Sequence, residues 1–249
     1  MLILAVETST LTGSVALLEA ALSEDGSFRG EKILGEHILN LPGTHSERLL
    51  TSIDRLLKET SLSIRDVQGI ALALGPGSFT GLRIGVSTVK GLAYALRVPV
   101  VGIPTLDALA HNVRFSSLLV CPVLDARKKE VYAALFRGDG EGRLLKVSED
   151  WVLAPEDLCS RIEEKTIFLG NGTEIYQQTL RRKLGPLALF VPPELSLPRA
   201  VNVARLSLPK FKKCLTCDIF SFTPIYVRRS EAEIHFGAKE EKNASPEKS

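Results

Sequence analysis

The sequence predicts an α/β fold, and three observations carry that expectation. Short apolar runs bounded by turn residues, at 2–7 and 67–74, read as buried strands. Between them Leu49, Leu50, Ile53, Leu56 and Leu57 recur at helical spacing behind a capping-box pattern, Thr44 with Glu47. The second run then feeds a glycine-rich turn, residues 75–85, that opens another helix.

The elements follow in order. Leu2 to Glu7 meets a hydroxyl-rich turn, Thr8 to Gly13, and a second apolar run at 14–19, so the two form a hairpin. A third strand is expected over 31–39 and a first helix over 45–59. Helix two runs from Phe79 to about Leu96 with Ser78 or Thr80 as its cap, and a strand follows at 98–103. Beyond Pro104 the reading is a short helix at 105–112, strands at 118–124 and 130–136, and a charged, glycine-rich loop at 137–150. A helix at 155–165, a strand at 166–170 and a helix at 173–184 come next. The last expected elements are a helix near 200–207 and a strand at 224–228. Residues 1–102 read as one lobe, 103–230 as a second, and 231–249 as a polar tail expected to be disordered.

Composition narrows the function. With 45% hydrophobic and 24% charged residues and a net charge of +2, the chain has no electrostatic footprint for nucleic acid or a membrane surface. The first residues lack a basic stretch and read as a strand rather than a signal peptide. Cys121 and Cys159 sit in apolar surroundings, and Cys214-Leu-Thr-Cys217 is a lone pair without the second pair a zinc ribbon needs. The expected compartment is the reducing cytoplasm. His37, His45, His111 and His235 are scattered and form no metal or nucleophile motif. The basic triplet Arg127-Lys128-Lys129 and the groups at Arg181-Arg182-Lys183 and Lys210, Lys212, Lys213 read as solvated surface.

The glycine-rich turn is the strongest local signal. Strand, turn, helix is the context in which backbone N–H groups hold phosphate. Its spacing, Gly75, Gly77, Gly81, fits neither a P-loop nor a dinucleotide fingerprint. Gly81, Gly85 and Thr88 lie on one side of helix two, as do Ser87 and Gly91. Each glycine costs a helix roughly 1 kcal/mol against alanine. Either close packing inside the fold or a partner accounts for them, and the two stand at even weight.

Taken together, Leu2-Ile-Leu-Ala-Val-Glu-Thr-Ser-Thr10, Gly13-Ser-Val-Ala-Leu17, His45-Ser-Glu-Arg-Leu49 and Gly75-Pro-Gly-Ser-Phe-Thr-Gly-Leu-Arg-Ile-Gly85 resemble the TsaB (YeaZ-type) family of bacterial tRNA threonylcarbamoyladenosine biosynthesis proteins. Asp125-Ala-Arg127, Glu130-Val-Tyr132 and Pro224-Ile-Tyr-Val-Arg228 extend the likeness to about residue 230. The resemblance implies a two-lobed fold similar to actin, sugar kinases and Hsp70, with mixed sheets flanked by helices. It places Thr8, Ser9, Thr10, Gly75, Gly77 and Ser78 where related proteins meet phosphate or nucleotide. It also puts Thr105 and Leu109 where the catalytic paralogue TsaD carries a metal-binding histidine pair, and leucine cannot ligate. The implied role is a non-catalytic, cytoplasmic subunit needed for N6-threonylcarbamoyladenosine (t6A) formation next to the anticodon. It would bind TsaD, act with the ATPase TsaE, meet tRNA through the complex and form a homodimer when alone. It would hold no metal or cofactor of its own, with ATP or ADP at the complex interface left open. Leu49, Ile53, Leu56, Leu57, Gly81, Gly85, Thr88 and Leu92 are the expected partner surface. A small-molecule kinase or a metallopeptidase-like enzyme of the same superfamily is the alternative.

Overall fold

The structure, a computed structural model, describes residues 1–22, 28–40 and 45–227. β1 (Leu2–Glu7), β2 (Gly13–Leu22) and β3 (Phe28–Leu39) form an antiparallel meander. β4 (Gly69–Gly75) pairs parallel with β1, and β5 (Val100–Pro104) pairs parallel with β4, giving the order β3-β2-β1-β4-β5. Parallel pairing needs crossovers. They are α1 (His45–Glu59) and α2 (Phe79–Leu96), and both ranges match the sequence expectation. The Ser78 side chain caps α2 by accepting from Gly81 N–H at 3.3 Å. The proposed Thr44 cap of α1 lies outside the described residues.

Every residue of β1 is buried, because both faces of this sheet are covered. Leu2, Leu4 and Val6 face the α1 and α2 side, with Ile53, Leu56 and Val89. Ile3 and Ala5 face the other way, onto α6 (Ala200–Lys212). α6, which the sequence reading allots to 103–230, packs on the first sheet, and α3 (Thr105–Ala110) lies between the two sheets, against β4 and β5 on one side and the strand at Leu119–Asp125 on the other. α6 also runs past Pro209, which its expected end near 207 did not allow for. Burial of Val203, Ala204, Leu208 and Phe211 outweighs the missing N–H.

The second sheet has seven strands. β6 (Leu119–Asp125) is central, flanked by β11 (Thr166–Leu169) with β12 (Ala188–Phe190) on one side. β7 (Val131–Ala133) with β10 (Trp151–Leu153) and β8 (Phe136–Gly138) with β9 (Leu144–Lys146) lie on the other. The strand expected over 130–136 is broken, because Leu135 N–H leaves the ladder and donates to Ser148 Oγ at 2.8 Å. The loop expected over 137–150 contains β9. α4 (Pro155–Cys159) is shorter than expected, and α5 (Asn171–Leu184) begins two residues earlier.

After α6 the chain returns along the first lobe. Cys217 N–H donates to Val100 O and Ile225 N–H to Leu74 O, both at 2.7 Å. Over 224–227 the Ile225 contact replaces the expected strand, and Arg228 lies outside the described residues, as does the tail with His235. No helix among the described residues is long and apolar enough to cross a membrane.

Candidate functional site

Four parallel strands, β1, β4, β6 and β11, end at one side of the molecule. The segments that leave them line a cleft of about 740 Å³ between the two sheets. Ligand sites of α/β proteins lie beyond the carboxyl ends of such strands.

The first lobe contributes two interlocked turns. In the β1–β2 turn Glu7 Oε1 accepts Ser9 N–H at 2.5 Å, and Thr10 Oγ1 accepts Thr12 N–H at 3.1 Å. Ser9 carbonyl then accepts Ser78 N–H at 2.6 Å, tying the hairpin to the start of α2. This contact explains Gly77: a Cβ there would stand 2.2 Å from Ser9 O. Gly75 has φ +114, and a Cβ on it would lie 2.7 Å from Ile225 O. It serves the returning C-terminal segment rather than a ligand.

Of the expected phosphate-contact residues, Ser9, Thr10, Gly77 and Ser78 line the cleft. Thr8 and Gly75 do not, which corrects their assignment. Thr8 is fully buried with its Oγ1 turned toward α2, where a Cβ on Gly85 would lie 2.4 Å from it. Glu7 is also fully buried, and desolvation pushes its carboxyl up to about 7, opposed by the Ser9 hydrogen bonds. Glu7 Oε2 and Thr8 Oγ1 have no hydrogen-bond partner.

The second lobe faces this with the loop after β6 and the first turn of α5. Asp125 Oδ1 accepts Arg127 N–H at 3.0 Å, and Asn171 Oδ1 accepts Asp125 N–H at 3.1 Å. Arg127, Lys128 and Lys129 all adopt positive φ, at 62, 52 and 62°. Such a run is strained for side-chain-bearing residues, and strain of this kind gathers at ligand sites. One further wall was not foreseen. Arg83 lies 3.9 Å over the Phe79 ring and donates from Nε to Tyr226 Oη at 3.2 Å. Arg83 and Tyr226 lie within quoted motifs, but their meeting depends on the returning C-terminal segment.

The expected partner surface is also corrected. Leu49, Ile53, Leu56, Leu57, Gly81 and Gly85 are buried within the chain's own core, with Leu56 only 2% exposed. Thr88 and Leu92 are half-buried. The apolar face of α1 is spent on the first sheet, and Gly85 admits Thr8. On the same helices the open positions are Leu50, 55% exposed, and a stripe of Ser87, Gly91 and Tyr94 along α2. A Cβ on Gly91 would meet nothing within 4 Å.

Thr105 and Leu109 are fully buried, Leu109 among Leu106, Val120 and Leu124. An apolar cluster does not fit a metal ion. Among the described residues no group of three or more His, Cys, Asp or Glu side chains could hold one. His111 Nδ1 lies 2.9 Å from Asp107 O, and His37 Nε2 lies 2.7 Å from Glu59 Oε2. Both make structural contacts outside the cleft lining. All four cysteines are free.

Comparison with known proteins agrees with this architecture. Residues 40–236 match the family model "TsaD: tRNA N6-adenosine threonylcarbamoyltransferase". The chain is 32% identical over 236 residues to the tRNA threonylcarbamoyladenosine biosynthesis protein TsaB of Bacillus subtilis (strain 168), covering 94% of this chain and 96% of that one. It is 29% identical to TsaB of Escherichia coli (strain K12), covering 93% and 96%. The solved structure of YeaZ from Pseudomonas aeruginosa superposes with a TM-score of 0.72 at 30% identity, over 91% of this chain and 99% of that one. The family model and this structural likeness carry the two-lobed actin/sugar-kinase/Hsp70-like fold class. The chain is a tRNA threonylcarbamoyladenosine biosynthesis protein related to TsaD, and it belongs to the TsaB family.

Proposed function

We propose that the chain serves t6A formation as a non-catalytic subunit that binds and supports TsaD, in the cytoplasm and together with the ATPase TsaE. The observation that carries this reading is the burial of Thr105 and Leu109. Both lie inside the fold at the start of the second lobe, Leu109 in an apolar cluster. A site that polarises an acyl anhydride needs a cation or an equivalent electrophile, and these positions supply no donor pair for one.

Docking falls to the open stripe of α2. Gly91 weakens the helix by roughly 1 kcal/mol against alanine, and no internal contact requires it. A partner helix crossing there closely supplies the reason, with Ser87 beside it and Tyr94 as an aromatic anchor. The test is co-purification of the full chain with TsaD, alongside t6A content in cells whose own copy is depleted. Gly91→Arg is expected to lose the complex and t6A with a melting temperature no lower than the parent's. A complex of unchanged affinity would move the interface elsewhere, and threonylcarbamoyl transfer by the isolated chain would overturn the non-catalytic role.

A further inference from the structure

The net charge of +2 conceals an uneven distribution along the chain. Residues 67–106 and 195–222 together carry eight lysines and arginines and a single carboxylate, Asp218. The fold lays these two segments side by side along β5, the edge strand of the first sheet. Cys217 bridges to Val100, Lys210 Nζ donates to Gly102 O at 2.8 Å, and Lys90 Nζ donates to Phe220 O at 3.2 Å. Of the eight cations, Arg199 and Arg205 are engaged by Glu36 and Glu31, and Arg83 lines the cleft. Lys90, Arg97, Lys210, Lys212 and Lys213 remain on this edge. The side chains of Arg97, Lys212 and Lys213 are exposed and pair with no described residue. Asp218 is turned into its own loop, where its two oxygens accept Phe220 N–H at 3.1 Å and the Ser221 hydroxyl at 2.8 Å.

The same edge carries exposed aromatic rings. Phe220 is 76% exposed and Tyr94 68%. The Phe220 ring meets Tyr94 edge-on, with centroids 6.4 Å apart and planes at 72°, so one ring supports the other. Both border a groove of about 580 Å³ whose walls include Arg97, Val98 and Ile219. Cations without partners beside open rings are the composition of surfaces that hold single-stranded nucleic acid: the cations take phosphates, and unpaired bases stack on the rings. The cations are strung along the edge instead of gathered at one point, which suits an extended chain of phosphates.

We infer that this edge of the first lobe binds RNA, with Arg97, Lys212 and Lys213 on phosphates and Phe220 stacked on an unpaired base. Resting on the t6A role, which brings the chain to tRNA, this contact adds direct RNA binding to the docking described above. Tyr94 joins the two surfaces, so RNA held here would lie beside the stripe of Ser87 and Gly91 on α2.

The test is fluorescence anisotropy of the full chain with an unmodified tRNA transcript, oligouridylate and polyglutamate over a salt series. Both RNAs are expected to bind, with affinity falling as salt rises. Arg97→Gln, Lys212→Gln and Lys213→Gln combined are expected to keep the fold, weaken tRNA binding by about tenfold or more and lower the salt slope by about 2 to 3. The matched triple Arg181→Gln, Arg182→Gln and Lys183→Gln removes the same charge from exposed positions on α5 and should leave affinity unchanged. Phe220→Ala is expected to weaken oligouridylate binding by about tenfold. No binding of either RNA, equal loss in the two triple variants, an unaffected Phe220→Ala variant, or polyglutamate bound as tightly as tRNA overturns the inference. Co-purification with TsaD separates it from the docking reading: Gly91→Arg is expected to lose TsaD and keep RNA, and the first triple variant to lose RNA and keep TsaD. Loss of TsaD with intact RNA affinity in that triple variant assigns the edge to a protein interface and overturns the RNA contact.

Discussion

Gly85 and Thr8 are in contact that admits no side chain between them: a Cβ on Gly85 would stand 2.4 Å from Thr8 Oγ1. The glycine in the middle of α2 is there for the hairpin. Gly85→Ala gains about 1 kcal/mol of helix propensity but overpacks a core contact, which costs about 1–3 kcal/mol. Net destabilisation by urea unfolding is expected. Thr8 Oγ1 has no hydrogen bond to lose, so Thr8→Ala should relieve part of the penalty in the double variant. Strict additivity of the two changes would show that the contact is not the cause.

Gly91, two turns further on, is the counter-case. Alanine there meets open space, so Gly91→Ala should stabilise the chain by up to about 1 kcal/mol. An equal loss of stability in both glycine variants would contradict the distinction.

On α1 the division falls between Leu56 and Leu50. Leu56→Asp buries an unpaired charge in the core and should abolish cooperative melting. Leu50→Asp alters an exposed position and should shift stability by less than about 0.5 kcal/mol. Circular dichroism melts of the two variants decide this. Loss of TsaD binding in Leu56→Asp would report unfolding rather than an interface.

Glu7 makes stability depend on pH. In the unfolded chain the carboxyl loses its proton near 4.5, whereas the native state holds it to about 7. Between these values the native state binds more protons, so stability falls as pH rises and levels off above 7. At 1.36 kcal/mol per unit the contribution lost is on the order of 3 kcal/mol. Glu7→Gln should flatten the stability profile over this window and be more stable than the parent at pH 8. Parallel profiles would refute the assignment.

Much of the first lobe was legible because its signals are local. The α1 and α2 boundaries follow from apolar spacing and a Ser78 cap, and the hairpin from two short apolar runs around a polar turn. Strands of three residues, β9, β10 and β12, carry no usable periodicity, and pairing alone creates them. Apolar spacing likewise identified the Leu49–Leu57 face but not what covers it, which is the chain's own sheet. In the cleft, Ser9, Thr10, Gly77 and Ser78 were named through the family resemblance and do line it. Arg83 with Tyr226, and Asp125 with Asn171, come from segments far apart in sequence, and only the fold brings them together.

The return of α6 to the first sheet has a consequence for biosynthesis. Ile3, Ala5, Ala16 and Ala71 are covered by Val201, Val203 and Ala204. A ribosome must therefore translate the whole second sheet before the first can close its inner face. The nascent chain carries an open apolar surface through most of its synthesis. A stalled or truncated product ending before Ala200 would leave that surface uncovered, as a natural target for chaperones and proteases.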